Sequence, residues 1–355
     1  MYNVKILFIC GSLNQTTMMH QIAGHLGDFD LYFTPYYSDG FVKALSKTSL
    51  LDFSLLGGQF RNRTLAYLNK HNLKIDSEGR QNDYDLVFTC SDLIVPKNIR
   101  NKKVILVQEG MTDPENIFYH VVKKLKLPRW LASTSTTGLS DMYEKFCVAS
   151  EGYRELFIRK GVKPEKIVVT GIPNFDNCRK YFDNDFPYKN FVLAATSDSR
   201  ETYKFENRRK FIEKTVKIAA GKQIIFKLHP NENVERATAE IKAYAPGALV
   251  YPTGNTEEMI ANCDILVTRY SSVVYVGLAL GKEVYSEFNL NELRKLQPIQ
   301  NDASSAYAIS NVARELIKVA KPAAEKNQIY NISEAGRKFR FIEKLKERRK
   351  LVDVD

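Results

Sequence analysis

The chain has 355 residues, which at about 150 residues per domain predicts two domains. Hydrophobic residues at 44% and charged residues at 26% exclude intrinsic disorder, a collagen-like repeat and a small disulfide scaffold. Fifty-two basic against forty-one acidic side chains leave a net charge of +11, which predicts an anionic partner. Of that charge, +6 falls between Arg337 and Lys350, where eight Lys or Arg face two Glu. Such a run is either a solvated helix face or a binding surface.

The N-terminus, MYNVKILFICGS, carries an apolar run of five residues after Lys5, too short for a secretory signal. No stretch approaches the roughly 18 apolar residues of a membrane span. Cys10, Cys90, Cys147, Cys178 and Cys263 are odd in number and widely spaced, with no CxxC. They read as reduced packing residues, and a cytoplasmic protein is expected.

Short apolar runs rich in β-branched residues then recur. The first half holds VKILFIC (4–10), DLVFTC (85–90), KVILVQ (103–108), KFCVA (145–149) and KIVVT (166–170). The second holds FVLAAT (191–196), QIIFKL (223–228), ALVY (248–251), DILVT (264–268) and EVYS (283–286). The runs are continuous rather than alternating, as parallel strands covered on both faces require. Amphipathic stretches at 114–127, 151–160, 201–218 and 272–280 lie between them. This alternation predicts an α/β fold of two Rossmann-like doubly wound domains facing a cleft. The polar, aromatic and proline-bracketed stretch 173–189 divides them. The expected units are 1–176, 190–333 and a basic helix over 334–355.

Ligands of such sheets bind outside the carboxyl ends of the strands, so the residues just after each strand matter most. Gln108-Glu109-Gly110 follows KVILVQ, placing a carboxylate at the lip of the cleft, where partial burial would suit it to general-base chemistry. The plainer account is a polar residue opening a loop. Lys227-Leu228-His229-Pro230-Asn231 follows QIIFKL. Two residues apart, Lys227 and His229 would share one side of the strand and suit a phosphate. His25, His71 and His120 lie in helical or loop patterns and read as structural or exposed. Arg269-Tyr270-Ser271-Ser272 follows DILVT and opens a helix, which suits phosphate binding, with N-capping as the plainer account. Gly11-Ser12, after the first run, is a candidate cleft loop. Glu257 and Glu258 are candidate ribose ligands, or solvent-facing helix residues.

Taken in order, these motifs resemble a GT-B glycosyltransferase, from KILFICGS through VVTGIPNFDN to the GLALGK helix. Within that fold they are similar to the acidic-acidic-Gly, His-Pro and Ser-Ser/Thr motifs of bacterial sialyl- and polysialyltransferases, with Gln108 at the first acidic position. The resemblance implies Glu109 as the base that deprotonates an acceptor hydroxyl and His229 as the group assisting the leaving phosphate. Lys227, Arg269, Ser271 and Ser272 would hold that phosphate. A metal-independent, inverting transfer is implied, with a CMP-sugar donor, a glycan or lipid-linked acceptor of the cell envelope, and no cofactor. Capsule and teichoic-acid transferases, including CDP-glycerol glycerophosphotransferases, share the Lys-x-His-Pro and Tyr-Ser-Ser features. Non-hydrolysing UDP-GlcNAc 2-epimerases resemble the chain at VVTGIPNFDN and FKLHPNENV. They carry acidic residues where this chain has Tyr275 and Val276, and a histidine that TSDSRET (196–202) lacks.

Asp28/Asp30, Asp83/Asp85 and Asp183/Asp185 form Asp-x-Asp pairs, but none follows a strand, and no metal requirement is expected. The charge lacks a base-stacking or glycine-rich RNA motif, so nucleic acid is not an expected partner. The basic C-terminal helix, Phe118-Tyr119 and the segment Lys123–Trp130 together suggest an anionic membrane surface, on the inner face. Simple helix packing is the alternative. The Ser/Thr-rich stretch 133–140 reads as a mobile loop on the acceptor side.

Overall fold

A computed structural model describes residues 3–45, 55–201 and 205–318. Met1–Ile309 form one compact unit. Of the second, Ser310–Asp355, only 310–318 are described, and they are helical. The basic segment predicted over 334–355 lies outside the described residues.

The unit contains two all-parallel sheets. The first joins β1 (Lys5–Cys10), β2 (Asp30–Pro35), β3 (Leu86–Thr89), β4 (Lys103–Val107), β5 (Lys145–Val148) and β6 (Ile167–Val169), in the order β2-β1-β3-β4-β5-β6. The second joins β7 (Val192–Ala195), β8 (Ile224–Lys227), β9 (Leu249–Tyr251), β10 (Ile265–Thr268) and β11 (Glu283–Tyr285), in the order β11-β10-β7-β8-β9. Helices α1 (Leu13–Gly24), α2 (Gly40–Leu45), α3 (Gly58–Lys70), α4 (Ile117–Leu125) and α5 (Glu151–Lys160) accompany the first sheet. Helices α6 (Arg208–Ala219), α7 (Val234–Tyr244), α8 (Thr256–Asn262), α9 (Val274–Ala279) and α10 (Leu290–Leu296) accompany the second. The expected architecture of two Rossmann-like α/β sheets is therefore present.

All ten apolar runs read from the sequence are strands; seven of them lie inside a sheet and are almost wholly buried, while β6, β9 and β11 are partly exposed edges. Within β1, Ile6 to Ile9 are almost wholly buried. Phe8 pairs in register with Phe33 on one side and Phe88 on the other, ring centroids 5.1 and 4.8 Å away. Such cross-strand aromatic pairs add to the stabilisation from burial alone. The strand without a sequence prediction is β2, DLYFTP. It is an edge strand ended by Pro35, and Asp30, Thr34 and Pro35 leave only three consecutive apolar residues, so it lacks the continuous apolar signature.

The two sheets are tied at several points. Tyr153 of α5 and Tyr275 of α9 share a hydroxyl–hydroxyl bond of 2.8 Å, and burial pushes the Tyr275 phenol up to about 12. A Cβ on Gly152 would come within 1.9 Å of the Lys295 carbonyl oxygen, so only glycine lets α5 meet the end of α10. Beyond α10 the chain returns to the first sheet, where Ile299 N–H donates to the Ala149 carbonyl and Asn301 N–H to that of Asp176. All five cysteines are buried and unbridged, as their reading as packing residues requires. Among the described residues no helix is long and apolar enough to cross a membrane.

The stretch 133–140 departs from the expectation of a mobile loop. Ser135, Thr136 and Thr137 are buried, and Asp92 accepts from the Gly138 and Ser140 N–H groups. The Lys160 ammonium reaches the Ser135 carbonyl at 2.9 Å. The hydroxyls that resembled a solvated loop instead satisfy a buried backbone.

Candidate functional site

In the first sheet the strand order reverses between β1 and β3, and the candidate residues gather just beyond that point. Ser12 caps α1 by accepting from the Gln15 N–H, and its own hydroxyl donates to Glu109 Oε1 at 2.7 Å. Gln15 Nε2 donates to Glu109 Oε2 at 2.5 Å. The chain end of β4 is thus held against the first turn of α1, across the intervening strand. Each carboxylate oxygen takes one bond and retains a lone pair for a proton. Gly11 is required here, since a Cβ would sit 2.0 Å from Gln15 Oε1.

Gln108 explains itself once its contacts are known. It is buried, its Nε2 donates to the Gly110 carbonyl at 2.7 Å, and its Oε1 accepts from the Ala149 N–H at 2.9 Å. The amide ties the end of β4 to the end of β5 while serving as donor and acceptor at once. An ionised carboxylate, which only accepts, could not do both. The departure from an acidic-acidic-Gly pattern is therefore a structural one.

In the second sheet the order reverses between β10 and β7, and the ends of β10, β7 and β8 lie side by side. Thr196 and Ser197 follow β7, His229 follows β8 and Arg269 follows β10. Beneath them lies a buried ionic network. Arg208 pairs with Glu206 at 2.7 Å and Glu232 at 2.5 Å, and donates to the Ser197 carbonyl at 3.2 Å. Glu232 also accepts from the His229 N–H at 2.8 Å and from the Thr196 hydroxyl. Arg269 joins through Glu206 at 3.7 Å, and its Nη1 is buried without a hydrogen-bond partner among the described residues. Two carboxylates against two guanidiniums keep the buried charge paired.

His229 is partly exposed, with Nδ1 accepting from the Asn231 N–H at 3.3 Å and lying 3.6 Å from Asp198 Oδ2. That hydrogen bond assigns the neutral ring's proton to Nε2, the nitrogen left to donate to a ligand. Lys227 is buried where His229 is partly exposed. The chain leaves β8 at Leu228, so strand alternation does not carry through to His229. The buried Lys227 ammonium folds back to the Leu228 carbonyl at 2.7 Å. Burial holds its pKa below the ordinary lysine range, while the fields of Glu257 and Glu232 act in the opposite sense.

Glu257 thus stands near Lys227 rather than simply facing solvent. Glu258 is engaged locally, accepting from Asn255 Nδ2 at 2.9 Å in the cap of α8. Ser271 and Ser272 are half-buried and precede α9, whose N-cap is Val273. Neither serine side chain caps the helix in the ordinary way; Ser271 Oγ accepts only a long bond, 3.5 Å, from the Val273 N–H. Tyr275 and Val276 are buried, Tyr275 against Tyr153 of α5. His71 packs tilted against Tyr67 and edge-on to His20, and His25 lies edge-on to Tyr307, so both have aromatic partners.

Gln15, Arg208, Glu206 and Glu232 were not legible beforehand. Glu232 stands three residues after His229, but nothing local distinguishes its carboxylate from a solvated one.

No family model and no curated protein sequence matches the chain. Solved structures do. The UDP-GlcNAc 2-epimerase from Neisseria meningitidis bound to UDP-GlcNAc superposes with a TM-score of 0.55 at 12% identity, covering 89% of this chain and 100% of that one. The S. aureus MnaA–UDP co-structure gives 0.53 at 13%, covering 88% of each. A variant of the wall teichoic acid polymerase TagF with CDPG gives 0.50 at 11%, covering 90% of each. At these identities the likeness is one of fold. The chain has a GT-B-like, two-domain Rossmann architecture.

Proposed function

We propose that the protein is a GT-B-type enzyme that transfers a group from a nucleotide-activated donor to an acceptor hydroxyl. The observation that carries this reading is the convergence of His229 at the end of β8 with Arg269 and the Ser271-Ser272 turn at the end of β10, the two strands that flank β7, beside the strand-order reversal. Ligands of doubly wound sheets bind at such points. Arg269, 3.7 Å from Glu206 and without a hydrogen bond on Nη1, and His229, with Nε2–H, are the donors for the leaving phosphate. Ser271 and Ser272 add hydroxyls, Lys227 adds positive charge from beneath, and Glu257 is the better placed ribose ligand.

In the reaction, the acceptor oxygen attacks the anomeric carbon as the bond from that carbon to the nucleotide phosphate oxygen breaks, with inversion. Glu109, aimed by Ser12 and Gln15, takes the acceptor proton. The departing charge falls on the phosphate, where fixed cations and donors stabilise it. The proposed chemistry runs in the presence of a chelator. The CMP-sugar donor suggested by the sialyltransferase resemblance has no support in the neighbours above, whose names give UDP-GlcNAc, UDP and CDPG. The proposal therefore extends to the donor class, not to one base.

The test is thermal stabilisation by CMP, CDP, UDP and GDP without metal, since a ligand of the native state alone stabilises it by about 2.7 kcal/mol at a hundredfold excess over Kd. A shift for one nucleotide, lost in His229→Ala and Arg269→Ala, supports the reading, and a CDP-only response selects glycerophosphate transfer. No response to any of the four removes it. An epimerase is the second reading, favoured by a UDP-only response together with solvent exchange at C2 of UDP-GlcNAc. Against it stand Tyr275 and Val276, packed in the interior where those enzymes place acids.

A further inference from the structure

Helix α4 is apolar on two faces. Tyr119 and Val122 are buried against the protein, whereas Ile117, Phe118 and Leu125 are 79%, 69% and 62% exposed. The turn that follows adds Leu127, Trp130 and Leu131, all exposed. The apolar arc of α4 is wider than the face that Tyr119 and Val122 bury, with His120, Lys123 and Lys124 on the opposite side, and a contiguous exposed patch of this kind marks an interaction surface.

The charge carried by the segment itself is of one sign. From Asn116 to Ser140 there is no Asp or Glu, while Lys123, Lys124, Lys126 and Arg129 fall inside it. Lys126 and Arg129, with Lys97 and Arg100, also line an adjoining groove of about 450 Å3 in which Leu127, Trp130 and Met142 supply apolar wall. Asp39, the acid among its lining residues, is engaged by Arg80 at 3.1 Å and by the Lys97 N–H at 2.5 Å.

The patch is also held in place. Arg129 donates to Asp92 Oδ2 at 3.0 Å and to the Asp92 carbonyl at 2.6 Å, and the same carboxylate anchors Gly138 and Ser140. Trp130 is therefore presented on a fixed turn. Exposed apolar side chains, a cationic rim and a tryptophan at the boundary match the two layers of a bilayer interface. Acyl chains take the first, headgroup phosphates the second, and the indole sits between them.

We propose that α4 and the turn after it dock the protein on an anionic phospholipid bilayer. Only residues 110–116 separate Glu109 from Ile117, so docking holds the ligand edge of the first sheet close to the membrane surface. The inference rests on the patch itself and stands apart from the reading of the donor site.

Flotation of the full chain with vesicles of phosphatidylcholine, alone or with phosphatidylglycerol, tests it. The expected result is partitioning onto the mixed vesicles that weakens with salt. Phe118→Ser/Leu125→Ser and, separately, Trp130→Ser should each lower it at least about tenfold, the effect of removing a large buried apolar side chain. These variants leave the net charge unchanged, so attraction between the vesicles and the cations of 337–350 cannot produce the difference. Being exposed, the replaced side chains should leave the melting curve in place, which verifies folding. Equal flotation of folded variants and wild type would overturn the proposal, as would a wild type that stays off the mixed vesicles. A vesicle-free dimer, seen by light scattering and dissolved by both variants, would assign the patch to a second copy instead.

Discussion

Replacing Gln108 by glutamate restores the acidic position of the motif and changes one heavy atom. The Nε2 that donates to the Gly110 carbonyl at 2.7 Å becomes an oxygen, so two acceptors face each other in a buried site. An unsatisfied buried group of this kind costs about 1–3 kcal/mol, and more when charged. Taking about 3 kcal/mol, Tm at neutral pH should fall by about 5 °C for a unit of this size. The cost attaches to the ionised form alone. A protonated carboxyl can donate to Gly110 while accepting from Ala149, as the amide does. Its folded pKa is therefore raised, and at about 1.4 kcal/mol per pKa unit the folded value lies about 2 units above the ordinary 4.3. The deficit should be absent below about pH 4, grow as pH rises and saturate above about pH 6.5. Thermal melts of Gln108→Glu and wild type across this range measure it. A variant as stable as wild type at neutral pH, or a deficit independent of pH, would refute a purely structural role for this amide.

Four further outcomes are expected. Glu109→Gln should lower kcat by about 10²–10⁴, the range for a lost general base, with nucleotide-induced stabilisation unchanged in a melting assay. Gly11→Ala drives a Cβ onto the Gln15 side chain that aims Glu109, so activity should fall further than the about 1–3 kcal/mol lost to overpacking, read by urea unfolding. Lys227→Met should be at least as stable as wild type at neutral pH, because burial outweighs the attraction of Glu257 and Glu232. With the folded lysine pKa below its unfolded value, wild type releases that penalty as pH rises toward about 10.4, so the two should converge there while the variant binds nucleotide more weakly. Tyr275→Phe leaves the Tyr153 hydroxyl without its 2.8 Å partner and should cost about 1 kcal/mol in denaturant, without shifting nucleotide affinity.

Seven of the ten strands read from the sequence were legible because a strand buried on both faces must be continuously apolar, a property of the local sequence; the edges β6, β9 and β11 were legible as short β-branched or aromatic runs. The same logic located Glu109, His229, Arg269 and Ser271 at strand ends, since a doubly wound sheet offers its ligand edge nowhere else. The edge strand β2, DLYFTP, escaped because Asp30, Thr34 and Pro35 leave only three consecutive apolar residues. What only the tertiary structure decided are relations between distant residues. Ser12 and Gln15 meet Glu109 across more than ninety positions. Arg208 finds Glu232 from another helix start, and Lys227 turns inward where strand alternation ends. Gln108 reads as a lost acid in the motif and as a shared donor and acceptor in the fold. Composition and periodicity report how each segment meets water; which polar groups satisfy one another is settled only when segments far apart in the chain are packed together.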